Sequence, residues 1–571
     1  MGAFSLQNDP GLVKWIYKRR KARNPIYREG QFMNDSKIQI LSSLEKVFSD
    51  SKNNYKEYGG FSMLKNEKKS FQVVFCASKG QKIRFDVDSP LEQYFTYSYV
   101  KQIPAKLTRP KKCDEYYIDG NRHAFPDLLI PLEDHVFTAE YTGFNSVWVQ
   151  IAGEPEPGTF AAEFTCGTEK AKLTIEIIDA VLPKQELIYT NWFHTDCLMS
   201  YYGFPAFSPE YWQCAENFLR RAAEYGMNCV LTPLFTLPLD TQVGGERPTV
   251  QLVDVTVTGR NSYAFGFDKL DRWIEMCEKC GIQYFEMSHL FTQWGAKHAP
   301  KIMAQKNGAQ KKIFGWRTKA SGEKYTAFLQ QFAASLKNYI DKKGIKDRCI
   351  FHVSDEPAKR QLKAYSKASE IIRKNFKGFK ITDALSDFSF YKNGVVETPV
   401  PSTDHIDPFI SKVPELWAYY CSAQSEKYVS NRFFDMPSER NRVIGFQLYK
   451  FAVKGFLHWG YNFYYTRFSK RLADPFTEPD AGAKFPAGDS FVVYPGKDLN
   501  PLDSLRLHVF YDGLQDMLAL RLLENLAGRD KAIAVLEKGT DKPITFSEYP
   551  HSAEWLLSTR ERINAEIKKY L

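Results

Sequence analysis

The sequence contains no long apolar run. No stretch approaches the ~20 consecutive apolar residues that a helix needs to cross a bilayer. Residues 1–17 also lack the basic segment followed by an apolar core that marks an export signal. We therefore expect no membrane span and a cytoplasmic location.

Motifs for metals, phosphates and redox chemistry are missing as well. The ten cysteines are scattered, mostly within apolar segments, which is typical of buried thiols in a reducing compartment. Cys277 and Cys280 form a CxxC that no second CxxC accompanies, and no HxH or HExxH pair occurs at a strand end. No glycine-rich loop precedes a helix in the second half. The sequence predicts neither a metal nor a cofactor.

Charge of one sign is only slightly in excess. The 77 basic and 67 acidic residues leave a formal charge of +10 over 571 residues, which does not indicate a nucleic-acid partner. The one basic run, residues 18–23, is interpreted as a solvated helix end. Aromatic residues are abundant, at 15%, and this abundance suits both sugar binding and packing.

The first third of the chain has the pattern of an all-β domain. Short runs with period-two alternation, such as Phe71–Phe75, Lys82–Val87 and Lys172–Ile178, are separated by Gly and Pro turns. Many short strands at this spacing predict a β-sandwich, which we assign to residues 1–180.

After residue 181 the pattern changes to strands alternating with helices, which predicts an α/β fold, a (β/α)8 TIM barrel over residues 181–500. Seven strands are evident, and residues 399–406 are the candidate for the eighth. Phe468–Asn500 reads as a loop over the barrel mouth. Residues 501–571 are predicted to be a C-terminal helical segment packed on the barrel.

The most informative motif is Asp355-Glu356-Pro357. One residue, Ser354, separates it from the apolar run Cys349–Val353, and the proline prevents that strand from continuing. In barrels of this kind, active sites are built at the carboxyl ends of the strands. A solvated loop is the alternative interpretation of the motif.

Polar and aromatic residues recur at the other predicted strand ends, which favours a sugar-binding pocket. They are Asn191, Trp192, His194 and Asp196; His289 and Trp294; His352; Asp383 and Asp387; Asp404 and His405; Trp417, Tyr419 and Tyr420; and His458, Trp459, Tyr461 and Asn462. A zinc site is the competing interpretation of these histidines and acids.

Adjacent carboxylates suit a particular form of glycoside hydrolysis. Two neighbouring residues cannot easily lie on opposite sides of a sugar ring, as the usual acid and nucleophile do. They suit substrate assistance, in which a 2-acetamido group attacks its own anomeric carbon. Glu356 is then the general acid and later the base, and Asp355 holds the acetamide N–H and stabilises the oxazolinium-like intermediate.

The chain resembles glycoside hydrolase family 123, the retaining β-N-acetylgalactosaminidases. The resemblance rests on Asp355-Glu356-Pro357, Trp417-Ala418-Tyr419, Arg442–Asn462, Phe125–Pro131 and Ser504–Asp516. It implies a sandwich joined to a barrel, no metal, the substrate-assisted mechanism, and release of terminal β-linked N-acetylgalactosamine from glycans such as those of glycosphingolipids.

We also expect particular sugar contacts for several further candidate residues. Tyr419 is expected to bind the acetamido carbonyl and Trp459 to stack on the sugar, while the candidates for hydroxyl contacts are Asn191, His194, His352, Trp417 and Asn462. Core packing is the alternative for Trp417 and Trp459. Two other functions stay open: a conventional retaining β-glycosidase with a separate nucleophile, and a glycan-binding protein without activity. Oligomeric state is not predicted.

Overall fold

The computed structural model describes residues 37–51 and 55–571. The basic run at 18–23 and the start of the predicted sandwich lie outside the described residues. Apart from one 3-10 turn at Glu92–Tyr94, the first described elements are strands: β1 (Ile38–Ser42), β2 (Gly60–Leu64), β3 (Lys69–Ala77), β4 (Lys82–Arg84), β5 (Asp86–Asp88), β6 (Phe95–Pro104), β7 (Ala124–Pro131), β8 (Val136–Thr138), β9 (Gly143–Ile151), β10 (Gly158–Cys166) and β11 (Glu169–Ile178).

These strands form two sheets with a shared apolar core. One sheet has the order β1-β3-β9-β6-β7 and the other β2-β11-β10-β5, while β4 and β8 form a separate ribbon. Phe71 of the first sheet meets Phe164 of the second with ring centroids 5.7 Å apart. Alternating apolar residues therefore point into the layer between the sheets, as period-two patterning predicts.

The next part of the chain alternates between strands and helices. Its elements are β12 (Ile188–Asn191), α1 (Thr195–Tyr202), α2 (Pro209–Glu224), β13 (Cys229–Thr232), β14 (Asp254–Gly259), β15 (Ser262–Gly266), α3 (Asp268–Lys279), β16 (Tyr284–Met287), β17 (Ile302–Lys306), β18 (Ala309–Phe314), α4 (Glu323–Lys343), β19 (Cys349–Phe351), α5 (Leu362–Asn375), β20 (Lys380–Ala384), α6 (Ser389–Lys392), β21 (Thr398–Val400), β22 (Trp417–Tyr419), α7 (Ser438–Arg442), α8 (Ile444–Lys450) and β23 (Gly455–His458).

Eight of these strands form the predicted parallel barrel, in the order β21-β20-β19-β16-β13-β12-β23-β22. The Tyr419 amide donates to the Pro401 carbonyl at 3.0 Å, which brings the two sheet edges together and nearly closes the barrel. The eighth strand, for which residues 399–406 are the sequence candidate, is β21. It is only three residues long because Pro399 and Pro401 have no N–H to extend a ladder.

The barrel interior is a packed apolar core that includes Ile188, Leu231, Ile350 and Trp417. Gly455 leaves room for the indole, since a Cβ at this position would lie 2.0 Å from Trp417 Cδ2. The strands therefore support a site only at their open, carboxyl end.

The chain ends with β24 (Val493–Pro495), β25 (Pro501–Asp503), α9 (Leu505–Ala527), α10 (Arg529–Leu536) and α11 (Ala553–Ile567). Helix α9 contacts both larger regions. Phe510 packs on Tyr189 of the barrel at 5.0 Å, and Arg506 pairs with Asp127 of the sandwich at 2.8 Å. A continuous core results, so the domain boundaries at 180 and 500 stay predictions.

None of the helices in the described part of the chain is both long and apolar enough to span a bilayer.

Candidate active site

A cavity of about 400 Å³ opens at the carboxyl ends of the barrel strands. This volume falls in the range of small-ligand pockets. Loops after the barrel strands and the segment between β23 and β24 line it with Trp192, His194, Leu239, Asp240, Arg247, Gln293, Trp294, Asp355, Glu356, Ala384, Tyr419, Cys421, Ser422, Leu457, Trp459, Phe463, Arg467, Lys484 and Phe485.

The carboxylate pair lies on the loop after β19, whose backbone is held at both residues. The Trp294 amide donates to the Asp355 carbonyl at 3.0 Å, and the Glu356 amide donates to the Ala384 carbonyl at 3.1 Å. Glu356 has φ +41°, a conformation that non-glycine residues adopt only under constraint. The neighbouring strands therefore fix where this carboxyl points.

The surroundings of the pair favour retention of a proton. Burial raises the pKa of Asp355 well above its usual range, and the neighbouring Glu356 carboxylate raises it further. Desolvation by the cavity walls also raises the pKa of Glu356, while the Tyr419 hydroxyl, which donates to Glu356 Oε1 at 2.8 Å, opposes this rise. Two close carboxyls titrate as a unit, so one proton persists to higher pH than on an isolated acid.

A buried charge network lies behind Asp355. His352 Nε2 is 2.7 Å from Glu286 Oε1, and its Nδ1 is 3.4 Å from Asp383 Oδ1. Burial alone lowers the pKa of His352, but these two carboxylates more than offset it and raise the pKa to about 10. His352 is therefore an imidazolium at neutral pH, and its charge favours ionisation of Asp355.

The same region contains a group that could hold a metal ion by distance alone. His289, His352 and Asp383 offer atoms within 4.8 Å of one another, the one such group in the described part of the chain. The imidazole rings stack with centroids 4.4 Å apart, so their in-plane lone pairs do not converge. Asp383 already accepts the Tyr365 hydroxyl and the Val353 amide. The group fits charge pairing of His352 with Glu286 and Asp383 better than an ion.

The opposite wall of the cavity is aromatic. Trp459 packs edge-on against Phe463 at 5.0 Å and Phe485 at 5.2 Å. Its indole Nε1 donates to Asp489 Oδ2 at 3.1 Å. Burial raises the pKa of Asp489 to about 7. Phe485 and Asp489 belong to the segment between β23 and β24, which therefore covers this side of the cavity.

A second buried histidine lies behind this wall. His458 Nδ1 accepts a hydrogen bond from Arg432 Nη2 at 2.6 Å, because a guanidinium can only donate. Burial lowers the pKa of His458 well below its usual value, and the Arg432 charge lowers it further. His458 is therefore neutral.

A third polar group supports the cavity near β12. The Arg247 guanidinium is fully buried, pairs with Asp196 at 2.7 Å and donates to His194 Nδ1 at 3.0 Å. His194 Nε2 then carries the proton and donates to the Trp459 carbonyl at 2.8 Å. Burial lowers the pKa of His194 well below its usual value. His194 is a neutral donor–acceptor bridge between two walls.

This geometry can be compared with known families. The model of the glycoside hydrolase 123 catalytic domain matches residues 192–523, more than half of the 571 residues. The chain belongs to glycoside hydrolase family 123. A comparison with curated proteins gave no significant match.

Solved structures include another family 123 enzyme. A family 123 glycoside hydrolase from Clostridium perfringens, studied for glycolipid glycan hydrolysis, superposes with a TM-score of 0.72 over 94% of this chain and 97% of its own, at 15% identity. A family 5 glycoside hydrolase from Bacteroides vulgatus reaches a TM-score of only 0.31 at 14% identity, over 60% and 68% of the two chains. The first match shows the shared fold, and the second supports no inference.

In this family 123 chain, five of the predicted site residues line the cavity: Asp355, Glu356, Tyr419, Trp459 and His194. The structure does not place the other four there. They are fully buried behind its walls: His352, Trp417, Asn462 and Asn191. The expectation that these four contact sugar hydroxyls therefore does not fit their positions.

Their observed contacts give each of them a supporting place. His352 lies in the charge network, and Trp417 fills the barrel interior. Asn462 holds the backbone of His194, accepting from its amide at 2.8 Å and donating to its carbonyl at 3.2 Å. The Asn191 side-chain amide donates to the Tyr189 hydroxyl at 3.4 Å. Successive residues at a strand end point alternately into the cavity and into the protein interior. On strands of three or four residues, the sequence spacing does not show which of them faces the cavity.

Several lining residues were not predicted, among them Asp240, Arg247, Gln293 and Lys484. They come from long connections whose sequence has no periodic signal. Asp240 anchors the neighbouring loop, since its carboxylate accepts the Phe468 amide at 2.8 Å. Of the four, only Lys484 lies in the segment 468–500 that is predicted to overhang the barrel mouth.

Proposed function

We propose that this enzyme is a retaining, exo-acting β-N-acetylgalactosaminidase that uses substrate-assisted catalysis. The observation that carries the proposal is the adjacency of Asp355 and Glu356 in a cavity about large enough for one sugar. Both carboxyls come from one loop, so they approach a bound ring from the same side. A separate nucleophile would have to lie across the ring, about 5–5.5 Å from the acid.

The proposed reaction begins with Glu356 protonated and Asp355 ionised. Glu356 donates its proton to the glycosidic oxygen while the acetamido oxygen attacks the anomeric carbon and the C1–O bond breaks. Ionised Asp355 accepts the acetamide N–H and stabilises the positive oxazolinium ring. The Glu356 carboxylate then removes a proton from water, which attacks C1, breaks its bond to the acetamido oxygen and restores the original configuration.

Desolvation raises the pKa of Glu356 and so favours its protonated form. The imidazolium of His352 acts in the opposite direction on Asp355 and helps it to ionise. Burial and Glu356 still leave the pKa of Asp355 raised, so the proposal assigns the retained proton of the pair to Glu356 and requires Asp355 to ionise when substrate is bound.

The choice of sugar rests on family likeness. The retaining enzymes of family 123 release N-acetylgalactosamine, and the Clostridium perfringens relative is described in terms of glycolipid glycan hydrolysis. We propose terminal β-linked N-acetylgalactosamine of glycolipid-type glycans as the substrate. Trp459 is the candidate platform for the apolar face of the ring, and Tyr419 the donor nearest to the acid.

One observation favours a second candidate function. Asp240 is the only carboxylate besides the pair that lines the cavity in the described part of the chain. Its pKa is raised to about 6, chiefly by burial. A conventional retaining β-glycosidase would use it as the nucleophile, with Glu356 as acid. Its hydrogen bond to the Phe468 amide gives it a structural task instead.

Three variants and matched substrates test the proposal. Hydrolysis of aryl β-N-acetylgalactosaminide should fall about 10²–10⁴-fold in Glu356→Gln, because a general acid contributes roughly this much. Asp355→Asn should do nearly as much damage, and Asp240→Asn far less. The wild-type enzyme should not cleave the galactoside that lacks the acetamido group. Equal cleavage of both substrates, or a covalent sugar trapped on Asp240, contradicts substrate assistance.

The choice of sugar needs its own comparison. We expect the aryl β-N-acetylgalactosaminide to be cleaved faster than the β-N-acetylglucosaminide, measured as kcat/KM. A preference for the glucosaminide would contradict the proposed sugar and leave the mechanism in place. Binding of glycans without turnover would contradict both and identify a binding protein.

A further inference from the structure

A much smaller cavity lies where the sandwich meets the barrel. It is enclosed by the loop after β1, the connection after β22, helix α7 and the start of α9. Its volume is about 10 Å³, which is room for one water-sized particle. Its polar lining consists of Lys46, Arg432, Arg506, Ser438, Asn431 and Asn441, with no Asp or Glu among the lining residues. We call it the cation-lined cavity.

Arg432 is a fully buried cation whose hydrogen-bond acceptors are all uncharged. Its Nη2 donates to His458 Nδ1 at 2.6 Å and to the carbonyls of Gly460 and Asp489 at 2.6 Å and 3.2 Å. Its Nε has no hydrogen-bond partner in the part of the chain that the structure describes. Burial, assisted by the charge of Arg506, lowers the pKa of Arg432 to about 10. The guanidinium therefore lacks the counter-ion that buried charges ordinarily have.

Lys46 is a second cation in the same situation. Its Nζ donates to the Phe434 carbonyl, which uses one of its three N–H donors. Desolvation lowers the pKa of Lys46 to about 8. Within residues 37–51 and 55–571, neither Lys46 nor Arg432 is ion-paired. The carboxylates that act on them at longer range have other partners: Asp127 with Arg506, Asp435 with Arg109, Glu439 with Tyr116, and Asp489 with Trp459.

These features together favour a small anion. A water molecule could accept the N–H groups, but it would leave two positive charges uncompensated in a medium of low dielectric constant. A phosphate, sulfate or carboxylate ligand has several heavy atoms and exceeds the volume of the cavity. Ser438 lines the same space and carries a hydroxyl, a further donor to an anion. We propose that the cation-lined cavity binds one halide ion, with chloride as the natural ligand, between Arg432 and Lys46.

The halide acts on the catalytic cavity through Arg432, and this part rests on the proposed function. Arg432 holds the carbonyl of Gly460, next in sequence to Trp459, and that of Asp489, which accepts the Trp459 indole N–H. A bound anion keeps the guanidinium charged and in place. Both neighbours of the sugar platform are thereby fixed, so chloride should lower KM.

The first test measures thermal unfolding while sodium chloride replaces sodium gluconate at constant ionic strength. A ligand that binds only the folded protein raises Tm, by about 2 °C for a chain of this length when chloride is at about 100 times its Kd. Gluconate is too large for the cavity, so screening is matched and only occupancy differs. A Tm that does not change between the two salts overturns the inference.

A matched pair of variants assigns the shift to this cavity. Lys46→Met removes one of the two cations and should abolish the chloride-dependent rise in Tm. Lys69→Met removes a lysine that is 3% exposed, lies on β3 and does not line the cavity, and it should retain the rise. A rise that persists in full in Lys46→Met overturns the inference, and so does its loss in both variants.

Bromide locates the ion in the wild-type protein, whatever the variants do. Crystals grown in sodium bromide should show an anomalous peak in the cavity, between Arg432 and Lys46. A water molecule without anomalous signal overturns the inference. A peak without any thermal shift identifies binding at crystal concentration only and overturns it as well.

Kinetics separate the halide site from the proposed function. KM for aryl β-N-acetylgalactosaminide should be about twofold or more lower in chloride than in gluconate, with little change in kcat. Equal KM values contradict the support of Trp459. An enzyme that binds chloride but hydrolyses no N-acetylhexosaminide contradicts the proposed function and supports the halide site.

Discussion

Two buried histidines at the ends of barrel strands differ in charge: one is positive and the other neutral. His352, just after β19, lies between Glu286 and Asp383, and its pKa rises to about 10 despite burial. His458, the last residue of β23, lies beside Arg432, and burial together with that cation pushes its pKa well below the usual value. The same residue type at the same kind of position is therefore charged in one wall and neutral in the other.

The strand order explains the difference. β19 pairs with β16 and β20, which carry Glu286 and Asp383, so two carboxylates flank its end. The end of β23 instead meets Arg432 from the connection after β22. The first arrangement supports the carboxylate pair, and the second supports an aromatic wall. A histidine takes its charge from the strands beside it, not from its own segment.

Removing the charged histidine should have the largest effect. His352→Gln leaves Glu286 and Asp383 as buried carboxylates without their cation. Breaking a buried ion pair from one side costs about 3–5 kcal/mol. We expect a loss of this size in the free energy of unfolding at pH 6, measured by urea denaturation with tryptophan fluorescence.

The pH dependence of this loss distinguishes the two histidines. The pKa of His352 is about 10 in the folded protein and about 6.5 when unfolded. Its stabilisation is therefore complete below about pH 6.5 and disappears as the pH rises towards 10. The difference between wild type and His352→Gln should shrink over that range. For His458→Gln the difference should stay constant above about pH 6.5, and parallel behaviour of the two variants would refute the assignment of a positive His352 and a neutral His458.

Substitutions in the aromatic wall around Trp459 should weaken substrate binding. Asp489→Asn weakens the acceptor of the Trp459 indole N–H. A hydrogen bond to a charged group is worth about 1.5–3 kcal/mol, so KM should rise about tenfold with little change in kcat. Trp459→Phe keeps an aromatic face without the N–H and should raise KM similarly.

A double variant checks that the two residues act together. If Asp489 acts by holding Trp459, adding Asp489→Asn to Trp459→Phe should change KM little further. Additive increases would show that Asp489 has a separate effect. A fall in kcat rather than a rise in KM would place Asp489 in the chemical step.

The smallest effect is expected from loss of the hydrogen bond between Tyr419 and Glu356. Tyr419→Phe removes the hydroxyl that donates to Glu356 Oε1 and opposes the rise of its pKa. The pKa of Glu356 should increase further, by just under one unit for a hydrogen bond worth about 1 kcal/mol. The basic limb of the kcat/KM profile should move to higher pH. Tyr420→Phe, next in sequence and outside the cavity, should leave that limb in place.

Much of the fold is predictable because its signals are local. Period-two runs indicate the sandwich strands, and alternation of apolar runs with helical spacing indicates the barrel, whose eight strands the structure confirms. β21 has the weakest sequence signal of the eight, because Pro399 within it and Pro401 after it have no N–H to donate to a neighbouring strand. Helix α9 is buried on nearly every side, so its periodicity does not reveal that it bridges barrel and sandwich.

The sequence by itself determined the carboxylate pair: Asp355 and Glu356 are adjacent in the chain, and a proline after an apolar strand must place them at that strand's end. Only the tertiary structure decided which other residues join them. Trp459 and His194 reach the cavity, while His352 and Asn462 lie behind its walls. The reason is physical, because adjacency along the chain is covalent, whereas burial and charge depend on neighbours that strand pairing brings from distant segments.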